Sequence, residues 1–446
     1  MNAAQNLSLT GDYQAGDLAP RIKRLGLVLA VLGLGTGAAL GAFGDIDSRT
    51  HFWYSYLVAF CYVLTIGLGA MFFTIVGHVV NTHWNITLRR LAELVMSTVP
   101  LVCLFGLGMF IPLLLDHDVH IWRWAHHHDA APSALSAEMS SEEYRSALGD
   151  ELDEKEHLHL IEHKGPYLNL PGFAIRLLLY FLTWFLMARF FLKKSVAQDT
   201  ASGIDNVLGM KRVGAPSILL FALTISFAAF DLIMSLDETW FSTIFGVYIF
   251  AGSFLSCNAF LVLMSKWLQA RGKMLDVISK EHYHDLGKWM FAFTFFWGYI
   301  AFSQFMLIWY ANIPEETHFY IWRSNETWIG LSFLLMFGHF LLPFPALLSR
   351  HVKRNTNVLK ILAGYMLIMH YVDLYWLIMP NYTPPSMPEL MRGDNLPEHP
   401  FGLVDVFLVM GFVGVFLFAL ANKSSKQSLL PLNDPLLAKC LGHKNI

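Results

Sequence analysis

The chain has 446 residues, of which 55% are hydrophobic and 15% charged, with a formal net charge of −3 and a mean hydropathy of +0.46. A soluble chain carries about 25% charge, so this one has too little polar surface to coat a soluble particle of its size, and no basic domain or motif supports a nucleic-acid partner. Its four cysteines, Cys61, Cys103, Cys257 and Cys440, form neither CxxC nor CxxCH, which points away from iron–sulfur clusters and covalently attached haem.

The segment Met1–Pro20 is polar and does not read as a cleaved signal peptide. Ten apolar stretches follow, each long enough for a bilayer core that takes about 20 helical residues to cross. They are Leu25–Phe43, Trp53–Val80, Leu88–Leu115, Gly172–Leu192, Ala215–Leu236, Trp240–Trp267, Leu286–Ala311, Trp328–Leu348, Val358–Met379 and Leu403–Ala421. The flanks alternate in basicity: 23 of the 31 Lys and Arg residues lie on one side and 8 on the other. The positive-inside rule then places both termini in the cytoplasm. The expected architecture is an all-α polytopic membrane protein with ten transmembrane helices.

On the Lys/Arg-poor side the insertion 116–170 carries a capping-box pattern, Ser140-x-x-Glu143, which predicts an acidic helix over about 141–160. Its clusters His126, His127, His128 and His157, His159, His163 lack a recognisable zinc spacing, so no metal site is expected. The stretch from Pro380 to Pro400 holds six prolines and predicts an extended outer cap.

Span five contains Phe230-Asp231-Leu232 and span nine Val372-Asp373-Leu374. Both aspartates fall in the outer third of a helix running outward. This faint parallel repeat predicts two four-helix bundles, 53–236 and 237–379. The flanking parts are a short inner terminus (1–24), a peripheral first span and loop (25–52), the cap (380–402), and a tenth span with inner tail (403–446).

Ionisable residues at lipid depth are costly, about 2.5–3.5 kcal/mol for an aspartate near the helix centre, and mark functional sites. His370 and Asp373, three apart, share one face of span nine. His339 in the antiparallel span eight reaches a depth similar to His370. A carboxylate beside imidazoles that titrate near neutrality makes up the parts of a proton relay, and His339, His370 and Asp373 form the expected chain. Asp231 is the counterpart in the first bundle. His78 and Glu93 lie near inner helix ends, where Arg89–Glu93 has the i,i+4 spacing of an ion pair. Ser253, Ser256, Asn258, Ser303 and Gln304 either hold water or join helices by hydrogen bonds. Two histidines at matching depth also admit a b-type haem, but ligation needs both rings in one cavity, and no haem is expected. Trp240, Phe241, Tyr371, Tyr375, Trp376 and Met379 either form an interfacial belt or line a slot for a quinone ring.

Ten spans, two four-helix bundles and no cofactor motif resemble the NrfD-like (polysulfide reductase-type) membrane subunits. The segment from His83 through Trp84, Arg89 and Arg90 to Glu93 is similar to that family's Trp-x(n)-Arg-x-x-Glu entry to the third span. The histidine-rich outer loop and the segment Phe230-Asp231-Leu232-Ile233-Met234-Ser235-Leu236 look more specifically like the ActF-type subunit of alternative complex III. The resemblance implies a bacterial quinol:electron-acceptor oxidoreductase. Its partners would be a paralogous NrfD-like subunit, a multihaem cytochrome c and an iron–sulfur subunit. Quinol oxidation releases protons, and Asp231, His339, His370 and Asp373 are the positions here that can carry them. The first bundle departs from a complete quinol site, because no mid-span histidine stands beside Asp231. A secondary transporter is the rival class, and the parallel sense of the repeat counts against its inverted form. Quinone or lipid remains the expected non-covalent ligand.

Overall fold

The computed structural model describes residues 9, 11–116, 118–125, 163–201, 203–382 and 401–445. The expected acidic helix, His126, His127, His128, His157 and His159, and the proline-rich segment beyond 382 lie outside the described residues.

The described chain is all-α, and its strand-like pairings are two isolated bridges, Asp12 with Lys273 and Gln14 with Ser428. Among the described residues ten helices are long and apolar enough to cross a membrane. Spans 1 to 10 are Leu18–Ala42, Ile46–Val79, Ile86–Leu115, Leu170–Gln198, Asp205–Leu236, Phe245–Gln269, Lys280–Ala311, Ile329–Leu348, Thr356–Asn381 and Leu403–Ser424. Most run beyond the apolar stretch that announces them, because hydropathy marks lipid depth while caps mark helix ends. Asp45 accepts the Ser48 N–H at 3.0 Å ahead of span 2, and Asn169 accepts the Gly172 N–H at 2.8 Å ahead of span 4; each satisfies an orphan first-turn donor.

Spans 3 and 8 depart from regular helices in their interiors. Span 3 is segmented into Ile86–Met96, Val99–Gly106, a 3-10 turn Leu107–Met109 and Phe110–Leu115, with Pro100 and Pro112 removing ladder donors. Span 8 widens to a π-helix over Leu335–Leu341, where Leu342 N–H reaches back five residues to Phe337 O at 2.8 Å. Pro343 follows at once. Its ring would clash with the carbonyl of residue i−4, His339, and the wider turn relieves that conflict.

Spans 2, 3, 4 and 5 pack into one group and spans 6, 7, 8 and 9 into a second, joined chiefly where span 2 meets spans 6 and 9 and span 5 meets span 6. Span 2 is apolar all round, as a helix at the centre must be, and 89% of its apolar window is buried against 22% for span 1. Span 1 docks on span 10. A Cβ on Gly33 would land in the backbone of Gly411, and one on Gly414 in that of Ala30. Small residues that let backbones touch are the way lipid-embedded helices associate without a hydrophobic drive. Gly33→Leu is therefore expected to split span 1 from span 10; a cysteine crosslink between the two spans that formed as efficiently as in the parent would contradict this.

Both described terminal segments lie across the Lys/Arg-rich face. Leu429 N–H donates to Tyr13 O at 2.8 Å, Tyr13 hydroxyl donates to Asp276, and the tail beyond span 10 contacts the ends of spans 3, 4 and 7.

Candidate functional site

Span 9 buries Leu359, Ala363, Met366, His370, Asp373 and Leu377, a helical stripe that turns both ionisable side chains inward. Asp373 is 2% exposed. It accepts hydrogen bonds from the Tyr248 hydroxyl of span 6 and from the Trp297 Nε1–H of span 7 at 3.1 Å. No arginine or lysine pairs with it among the described residues. His370 Nε2 lies 2.8 Å from Thr65 Oγ1 of span 2, and Thr65 Oγ1 is itself 2.8 Å from Cys61 O. With its single proton given to that carbonyl, Thr65 accepts from His370, so Nε2 carries the ring proton and Nδ1 is an acceptor. That Nδ1 has no hydrogen-bond partner among the described residues.

His370 and Asp373 meet over Gly252 of span 6. A Cβ there would lie 3.1 Å from His370 Cε1 and 3.8 Å from Asp373 Oδ2. The π-turn of span 8 presents His339, whose ring stacks on Trp297 with centroids 4.0 Å apart. Both its ring nitrogens are buried and without a hydrogen-bond partner among the described residues. The three expected relay residues thus come together, but in a different order of contact. Trp297 bridges them, with its N–H on Asp373 and its face on His339. The chemistry available is proton acceptance and donation by a carboxylate and two imidazoles inside an apolar wall. A haem would need both imidazoles turned into one cavity; His370 is instead held to Thr65, and His339 lies flat against an indole.

A cavity of about 470 Å³ adjoins this cluster. Tyr248 and Trp297, the two donors to Asp373, form part of its wall, with Gln304, Tyr320, Arg323 and Trp376. Arg323 is fully buried and donates to the carbonyls of Phe319 at 2.8 Å, Leu377 at 2.9 Å and Trp376 at 3.2 Å. Burial pulls its pKa down to about 9, so it remains a cation at neutral pH. Of the aromatic residues expected to line a ring slot, Trp376 does so; Trp240 stacks on Phe319 with centroids 3.9 Å apart. Nearby, beyond span 5, Asp237 accepts from His318 Nε2 at 2.7 Å, Thr239 Oγ1 at 2.9 Å and Trp240 N–H at 3.1 Å. Burial would raise this carboxyl, but those donors outweigh it and hold it below the ordinary carboxylate range.

Asp231 occupies a different environment from its repeat partner. Arg176 of span 4 grips it with two nitrogens, Nε to Oδ2 at 3.0 Å and Nη2 to Oδ1 at 2.8 Å, and Tyr180 hydroxyl donates at 2.8 Å. His78 and Glu93 form a third cluster at the Lys/Arg-rich end, 3.7 Å apart. Glu93 is flanked by Arg89 at 3.7 Å and Arg90 at 3.1 Å. Arg90 also binds Asp199 with two nitrogens, each at 2.9 Å, and Arg89 pairs with Asp434 of the tail. This network ties the C-terminal segment to spans 3 and 4.

Ser253, Ser256 and Asn258 bond to carbonyls of their own helix at 2.8, 2.9 and 2.7 Å, so they neither bridge helices through these bonds nor line the cavity. The residues missing from the sequence reading are Thr65, Tyr248, Trp297, Arg323 and Arg176. Arg176 had a signal: a cation within the first two turns of span 4, next to an apolar run, calls for a partner, and Asp231 near the same end of the next span is at hand. Among the described residues no group of three or more His, Cys, Asp or Glu is arranged to hold a metal. No protein-family model and no curated protein matches the chain.

Proposed function

We propose that this chain is an integral-membrane subunit of a bacterial respiratory quinol:electron-acceptor oxidoreductase of the alternative complex III type, and that its second helix group carries protons coupled to quinol oxidation. One observation carries the reading. Asp373 is a carboxylate at lipid depth with no cation paired to it among the described residues, held by two neutral donors beside two histidines. A group placed there at such expense and left without a fixed counter-ion is suited to exchange a proton. Asp231 and Glu93, with bound arginines, serve better as structural ion pairs. In this reading the Lys/Arg-rich face is cytoplasmic, and the partners are a paralogous NrfD-like subunit, a multihaem cytochrome c and an iron–sulfur subunit. Affinity purification from the native membrane is expected to retain a haem-rich partner. Isolation of the chain alone, with substrate flux after reconstitution, would support a transporter instead.

The cavity favours a second reading, direct quinone binding. Concave, mainly apolar sites with a few convergent polar groups are the usual seats of small ligands. Tyr248 stands between such a ligand and Asp373, and Arg323 and Gln304 supply polarity. A photoreactive quinone analogue is expected to label the spans 7 and 8 wall near Phe302 or Met336; labelling confined to other subunits removes this second reading and leaves the proton path standing.

A further inference from the structure

A second cavity, about 630 Å³, opens between spans 3, 4 and 10 at the Lys/Arg-rich end. Three of its wall residues are cations: Arg189 and Lys193, one helical turn apart on span 4, and Lys423 at the end of span 10. All three are exposed, and none makes an ion pair or hydrogen bond among the described residues. Their neighbours on the same face behave differently. Arg90 binds Asp199, Arg89 binds Asp434, and Arg354 binds Glu281. Among the described residues no Asp or Glu lines the cavity, so three positive charges converge on a cleft to which those residues supply no anion.

Two further polar groups sit at the same end. Lys23 Nζ donates to Asn422 Oδ1 at 3.1 Å, which adds a fourth cation at the rim. Gln427 Oε1 is buried with no hydrogen-bond donor among the described residues. The deeper wall is apolar, and Leu104 and Phe185 are among its exposed members. A basic mouth over an apolar groove, open sideways between helices, matches the amphipathic outline of a lipid. Basic pockets between helices on the cytoplasmic side of a membrane take anionic headgroups.

We propose that this cleft binds one anionic glycerophospholipid, with its phosphate at Arg189, Lys193 and Lys423 and an acyl chain along Leu104 and Phe185. A headgroup hydroxyl, as in phosphatidylglycerol, donates to Gln427 Oε1. The proposal does not depend on the respiratory reading.

The test is native mass spectrometry of the full chain released from nanodiscs of mixed phosphatidylglycerol and phosphatidylcholine. One phosphatidylglycerol is expected to be retained about tenfold over phosphatidylcholine. The triple variant Arg189→Gln, Lys193→Gln, Lys423→Gln is expected to lose most of that preference, with helicity by circular dichroism unchanged because all three side chains are exposed. Millimolar inorganic phosphate is expected not to displace the lipid. Equal retention of the two lipids by the parent chain overturns the proposal, as does undiminished preference in a folded triple variant. Displacement by inorganic phosphate would make this a free-anion site and also overturn it. Should the variant fail to fold, the parent's competition between the two lipids decides alone.

Discussion

Replacing Asp373 with Asn is expected to cut proton translocation by at least about tenfold, in proteoliposomes holding the assembled complex, while its abundance in the membrane stays at the parent level. The carboxylate takes Tyr248 on one oxygen and Trp297 Nε1–H on the other; an asparagine can turn its one oxygen to the indole N–H and donate its amide to the Tyr248 hydroxyl oxygen, so packing is preserved, but it cannot take up a proton. Loss of a positioned proton-transfer group costs about 100- to 10,000-fold where that step limits the rate, and a tenfold floor allows for parallel routes. His370→Gln is the companion. It can still donate to Thr65 Oγ1 in place of His370 Nε2 and cannot relay. The readout is the number of protons moved per electron, followed with a pH-sensitive dye beside the electron-transfer rate. An unchanged ratio in both variants would remove the relay and leave a helical scaffold.

The first helix group should respond in stability instead. Arg176→Met is expected to destabilise the protein by about 3–5 kcal/mol, because it strands the Asp231 carboxylate where no solvent reaches it. Asp231 is fully buried, and the Arg176 side chain is 20% exposed; Arg176 also lies over the Tyr167 ring, 3.9 Å from its centroid. The double variant Arg176→Met, Asp231→Asn removes both charges and is expected to recover most of the loss, since replacing a whole buried pair is often neutral. Unfolding by titrated denaturing detergent measures the cycle. Additive losses would mean that the two side chains act independently, against the geometry. Asp373→Asn breaks no ion pair, and its stability change should be small. The two aspartates of the faint repeat are thus expected to separate into a structural residue and a proton-handling one.

Much of the site was legible at the level of residue type. His370 and Asp373 stood out because ionisable groups are rare in apolar spans, and their three-residue spacing shows that they share a helix face. Arg89–Glu93 was legible for the same reason, being local to one helix. The partners of Asp373 were not. Tyr248 and Trp297 lie 125 and 76 residues away in the chain, and aromatic residues are common enough here that neither stands out. The π-turn that presents His339 has a local cause in Pro343, yet proline more often ends or kinks a helix, and only the packing against Trp297 shows which outcome occurs.

By itself the sequence determined the all-α class, the ten crossings and the shared side of both chain ends. A membrane core offers the backbone no water, so each crossing must satisfy its own hydrogen bonds as a helix, and twenty apolar residues in a row suffice to reveal one. The tertiary structure decided which buried carboxylates are bound by arginines and which are held by neutral donors, and which helix ends enclose a cavity. Those outcomes depend on side chains brought together from distant spans, and helices surrounded by apolar residues on every face carry no one-dimensional record of which neighbour they meet.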